Sequence, residues 1–144
     1  MKLLGLFIAN LKQLHLVFGI VYLVVFWLSG AFLKFIIWDV VADDDLLRVL
    51  YRSSHVYILM SALINIAISV YLSSSTTPKE QVLQGLGSML ILISPLLLSY
   101  AFFLVPKLSV DVNGVIFIAV VSLTIGVILH LVSTYMSNSP TKSK

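Results

Sequence analysis

No cysteine occurs among the 144 residues. That absence excludes disulfides, thiolate metal sites, c-type haem attachment and thiol redox catalysis. Charge is scarce as well: 10% of residues carry one, against about 25% in an ordinary soluble domain. The six acidic residues all fall between the apolar stretches or at their edges. That placement argues against a proton-driven pump, which sets a carboxylate inside the bilayer. No glycine-rich phosphate loop, nucleophile elbow or internal repeat occurs either.

What is present is apolar: 60% of the residues are hydrophobic and the mean hydropathy is +1.09. Four uncharged runs cover roughly residues 13–33, 53–77, 81–106 and 112–137. A bilayer core takes about 20 helical residues, so each run is long enough to cross it. The spacing predicts helices over about 13–37, 44–73, 81–105 and 115–136, in one transmembrane domain spanning 1–137. A polar tail, 138–144, follows. The expected fold class is all-α: an antiparallel bundle of four transmembrane helices. Residues 1–12 read as an interfacial amphipathic turn, because Lys12 breaks the apolar stretch and no small-x-small cleavage site ends it.

Lysine and arginine give the orientation. The face holding the N-terminus receives Lys2, Lys12, Lys79, Lys142 and Lys144, and the far face receives Lys34, Arg48, Arg52 and Lys107. Five against four is a slim bias, and it places both termini in the cytoplasm. The net charge of +3 sits beside the membrane, so anionic lipid explains it more simply than nucleic acid does.

Local signals punctuate the helices. Asp43-Asp44-Asp45 suits a helix start, with Asp44 four residues before Arg48. Ser73 to Pro78 reads as a loop, and Asp111, Asn113 and Gly114 as a tight turn. Pro95 falls inside the third helix, where it frees a carbonyl and favours a kink. Inward stripes recur at helical intervals: His15, Gly19, Tyr22, Phe26, Ser29 and Gly30; then His55, Ala62, Asn65 and Ser69; then Gln84, Ser88, Pro95 and Ser99. The last helix continues the pattern with Ala119, Ser122, Gly126, His130 and Ser133. Such stripes pack helices against one another rather than against lipid.

Three histidines are the side chains within the runs best suited to ligation or proton transfer. Antiparallel threading brings His15 and His130 to the same face and leaves His55 at the other. His15 and His130 could be axial ligands of one b-type haem, with Gly19 and Gly126 leaving space for the porphyrin. They could equally serve packing, since Ser122 and Gly126 already form a small-xxx-small motif. At the far face, Arg52, His55 and Tyr57 form a patch for a lipid headgroup or a partner, in which Arg52 could also pair with Asp39 or with Asp43–Asp45. Asn65, near mid-membrane, is expected to bridge helices.

The segment Arg52-Ser53-Ser54-His55-Val56-Tyr57-Ile58-Leu59, Asn65 downstream, and Leu86-Gly87-Ser88-Met89-Leu90 with Ser94-Pro95-Leu96 resemble a family of small bacterial four-helix membrane proteins of unassigned function. That resemblance implies a bacterial inner membrane and no activity. Leu11-Lys12-Gln13-Leu14-His15-Leu16 is similar to the opening of membrane-embedded protoporphyrinogen oxidases and the copper-resistance D group, and implies a haem-binding role for His15 alone. The leading expectation is a structural or accessory membrane protein without catalysis, in contact with the lipid bilayer and acting as a homo-oligomer or a subunit of a larger complex. A b-haem or quinone-linked redox protein and a small-solute transporter are the alternatives.

Overall fold

Leucine, isoleucine, valine and alanine fill the four runs, and with no proline or charge to interrupt most of them a helix is the only open conformation that satisfies their backbone in lipid. The computed structural model describes residues 2–39, 43–72, 77–104 and 112–137, with side chains from residue 10 onward. It is all-helical among those residues: α1 (Lys2–Phe32), extended by a π-helical turn (Leu33–Ile37), then α2 (Asp45–Tyr71), α3 (Pro78–Leu104) and α4 (Val112–Ser137). Among the described residues, four helices are long and apolar enough to cross a membrane. Large apolar side chains such as Trp27, Phe117 and Leu131 are exposed around the outside, as a lipid-facing surface requires.

Side-chain pairings show the antiparallel order. His15 meets Asn65 and Ser29 meets His55, so α1 and α2 run in opposite directions. Ser133 of α4 donates to the Glu80 carbonyl of α3, and Ser94 of α3 donates to the Ala119 carbonyl of α4. Tyr51 and Phe102 join α2 to α3 with ring centroids 5.4 Å apart. The closest packing is of α1 on α2 and of α3 on α4, so the bundle is two hairpins laid side by side.

Glycine sets both hairpin crossings. A Cβ at Gly19 would lie 3.1 Å from the Ala62 carbonyl and 2.5 Å from Ile66 Cγ1. A Cβ at Gly126 would lie 2.8 Å from the Gly87 carbonyl, and one at Gly87 would lie 2.9 Å from the Gly126 carbonyl. The space expected for a porphyrin beside Gly19 and Gly126 is thus filled by Ile66 and Ile91. The two ends of the bundle differ in character. Toward the far face the core is apolar and aromatic, built around Tyr51, Ile58, Leu98 and Phe102. Toward the face of the N-terminus it is polar.

Several boundaries differ from the sequence expectation, each for a local reason. The chain is helical from Lys2, because residues 2–12 contain no breaker stronger than Gly5. At about 1.5 Å per residue α1 and its π turn are longer than the ~30 Å bilayer core. α3 begins at Pro78, with Thr77 and Glu80 bonded reciprocally, Thr77 N to Glu80 Oε2 and Glu80 N to Thr77 Oγ1, each at 3.4 Å. That is a capping box with proline at the first helical position. Asn113 and Gly114 belong to the first turn of α4 rather than to a turn before it. Pro95 is buried within α3, which continues on both sides of it. The expected residues Ser73 to Thr76, Pro106, Lys107 and Asp111, and the tail 138–144, lie outside the described residues.

Asp44 is the N-cap of α2, its carboxylate accepting the Leu47 N–H at 3.0 Å. Arg48 therefore pairs with Asp45, three residues away, rather than with Asp44. Asp44→Ala is expected to destabilise the protein by about 1 kcal/mol, read as an earlier unfolding midpoint in SDS titration, with helix content otherwise retained.

Candidate functional site: a four-helix polar clasp

One residue from each helix meets in the polar half of the bundle. His15 Nδ1 lies 2.7 Å from Asn65 Oδ1, His15 Nε2 lies 2.9 Å from Ser88 Oγ, and Ser88 Oγ lies 3.0 Å from His130 Nε2. His15, Asn65 and Ser88 are fully buried, and His130 is 5% exposed. Helical periodicity delivers them: His15 lies four residues before Gly19, and His130 four after Gly126, on the faces that the glycines bring together.

The hydrogen-bond directions follow from Asn65. Its Nδ2 donates to the Ser61 carbonyl at 2.9 Å, which orients Oδ1 toward His15 as the acceptor. The His15 proton therefore sits on Nδ1, and in the neutral ring Nε2 is a bare acceptor. Ser88 donates its single proton to that nitrogen, and its oxygen in turn accepts from His130 Nε2–H. The chain of donors runs one way, from α4 through α3 and α1 to α2. Ser88 Oγ occupies the point between the two histidines, whose ring centroids are 6.1 Å apart with planes at 78°.

That arrangement does not fit a haem held by His15 and His130. Iron between the two Nε2 atoms would take the place of Ser88 Oγ, and a porphyrin around it would have to separate α3 from α4 where their backbones touch at Gly87 and Gly126. Among the described residues, no group of three histidine or carboxylate side chains stands ready to hold a metal ion. His130 also lines a cavity of about 280 Å³ between α2 and α4, beside Ile68, Tyr71 and Thr134.

His55 is separate, in the far half. Its ring stacks on Phe26 with centroids 4.2 Å apart and planes at 16°, and its Nδ1 is 2.9 Å from Ser29 Oγ. Arg52 is not paired with Asp39 or with Asp43–Asp45. Its guanidinium instead lies 4.8 Å above the Trp38 ring, a cation–π contact. Tyr57 packs against the apolar core and does not share the cleft that His55 lines. In place of the expected patch of Arg52, His55 and Tyr57, His55 lines a cleft with Gly30, Leu33, Lys34 and Trp38, and Arg52 lies beside it over Trp38.

Sequence reasoning placed Ser88 on an inward stripe without giving it a role. The signal was its depth: on an antiparallel third helix, residue 88 falls at the level of His15 and His130. Lys34 and Trp38 read from the sequence as interfacial anchors rather than as cleft residues, and four-residue steps from Gly30 were the clue to the cleft. Compared with family models, curated proteins and solved structures, the chain matches none.

Proposed function

We propose that this protein is a structural or accessory component of a bacterial inner membrane, with both termini in the cytoplasm, acting as an oligomer or as a subunit of a larger complex. The observation that carries this reading is the clasp itself. Both Nε2 atoms, His15 Nδ1 and the Asn65 amide are committed to one another or to backbone, so three of the four ring nitrogens of the clasp hold helices together. Buried polar groups that satisfy each other fix helix register and neighbour. The same packing speaks against the b-haem alternative.

The test has two arms. Protein purified in mild detergent from haem-replete cells is examined by visible spectroscopy, oxidised and then dithionite-reduced. The expected spectrum is featureless, and His15→Ala lowers the unfolding midpoint without any spectral change. A Soret band that disappears in His15→Ala or His130→Ala would transfer the assignment to a redox protein. Reporter fusions after Met1 and after Lys144 are expected on the same, cytoplasmic side. Fusions on opposite sides would overturn the even number of crossings.

A further inference from the structure

The far-face cleft between α1 and α2 has the chemistry of a headgroup site. It has a volume of about 500 Å³ and is lined by Gly30, Leu33, Lys34, Trp38 and His55. Two features of α1 shape it. A Cβ at Gly30 would come within 3.0 Å of His55 Cε1, so glycine lets the imidazole lie against the helix. Next to it the helix widens into the π turn, closed by Trp38 N–H donating to the Leu33 carbonyl at 2.9 Å. Single π turns within helices concentrate at functional sites, because they re-aim side chains. Here the turn keeps Lys34 and Trp38 on the wall that Gly30 begins.

Of the residues lining the cleft, Lys34 alone carries a charge, and it is positive. Lys34 is a wall of the cleft, its ammonium 5.3 Å from the Phe35 ring centroid, and Arg52 lies over the Trp38 ring, lining the neighbouring cavity with Leu33, Ile37 and Tyr51. Asp45, in the first turn of α2, is engaged by Arg48, and Asp39 follows Trp38 in the chain. His55 adds a second requirement. Ser29 donates its only proton to the Phe26 carbonyl at 2.9 Å, so His55 Nδ1–H must donate to Ser29 Oγ. His55 Nε2 is then a bare acceptor on the edge that faces Gly30. A fitting ligand offers a negative phosphate to Lys34 and Arg52 and a hydroxyl donor to His55.

The geometry points to an anionic phospholipid whose headgroup carries a free hydroxyl, its phosphodiester held by Lys34 and Arg52 and its hydroxyl bonded to His55 Nε2. Lipid is the source, rather than a free phosphate, because the cleft opens at the end of a membrane span beside the interfacial Trp38, the level at which headgroups lie. The inference rests on the membrane placement alone and holds with or without a protein partner.

Full-length protein in mild detergent is titrated with phosphatidylglycerol, phosphatidylethanol, phosphatidylcholine and deacylated glycerophosphoglycerol, and native mass spectrometry counts bound molecules. Phosphatidylglycerol is expected to bind about tenfold tighter than phosphatidylcholine, a difference of ~1.4 kcal/mol. Lys34→Gln with Arg52→Gln removes that preference, while Lys34→Arg keeps it. His55→Phe erases the preference for phosphatidylglycerol over phosphatidylethanol, which has the charge but no hydroxyl, and leaves the preference over phosphatidylcholine. Circular dichroism confirms that each variant is folded. Unchanged lipid preference in the folded Lys34/Arg52 double variant would overturn the site. Equal competition by glycerophosphoglycerol would overturn its assignment to lipid. Neither result touches the clasp, whose test is spectral and thermodynamic.

Discussion

Gly126→Val is expected to destabilise the bundle by about 3 kcal/mol, the upper part of the range for overpacking a tight interior. The reason is what the new atoms meet. A Cβ at this position falls 2.6 Å from Ile91 Cγ1 and 2.8 Å from the Gly87 carbonyl oxygen. Ile91 could turn aside, but the carbonyl is backbone, and moving it means separating α3 from α4. That separation would also draw His130 away from Ser88. A matched control lies two residues from Gly87: at Gly85 a Cβ meets nothing within 4 Å. Gly85→Ala should therefore be neutral or stabilising by up to ~1 kcal/mol, through helix propensity alone, whereas Gly87→Ala should destabilise. SDS unfolding in mixed micelles, followed by circular dichroism, measures all three. If Gly85→Ala and Gly87→Ala proved alike, the close crossing would be wrong.

Ser88→Ala is expected to cost about 2–3 kcal/mol, a large effect for removing one oxygen. The deleted hydroxyl bonds two imidazoles at once, at 2.9 and 3.0 Å. Individual hydrogen bonds between transmembrane helices average only ~0.6 kcal/mol by double-mutant cycles, because the separated helices find other partners. Loss of two bonds alone would then give little more than 1 kcal/mol. The larger figure applies because a buried acceptor on His15 and a buried donor on His130 are both left unpaired, each at roughly 1–3 kcal/mol. The cycle separates the two accounts. If orphaned groups dominate, Ser88→Ala combined with His130→Leu costs much less than the two single changes summed. Strict additivity would mean that the two residues do not share one network.

The architecture was legible because hydropathy in lipid is a direct readout: Leu, Ile and Val at nearly every outward position leave four helices as the only reading. The inward stripes were legible for the same reason: of the α1 series, His15, Gly19, Tyr22 and Ser29 are buried and Phe26 and Gly30 half-buried. Helix starts were less so. Thr77 and Pro78 read as loop because serine and threonine precede them, although Thr77-Pro78-Lys79-Glu80 spells a capping box. The site divided in the same way. That His15 and His130 share a level follows from threading, but what stands between them depends on the rotation of α3, which periodicity leaves open by a residue or more. Tyr57 was misplaced by proximity in sequence: five residues from Arg52, it projects well away from it around the helix.

The clasp takes one member from every helix, and that has a consequence for biogenesis. When only α1 and α2 have entered the bilayer, His15 can already engage Asn65, yet its other nitrogen faces lipid with nothing to bind. Ser88 supplies the missing donor only when α3 arrives in the correct rotation, and α4 then brings His130 to Ser88, so the half-inserted chain carries a built-in signal of incompleteness. A truncation after residue 104 would leave Ser88 without His130 and should be cleared by membrane proteases faster than the whole chain. Quality control, on this view, is written into four side chains.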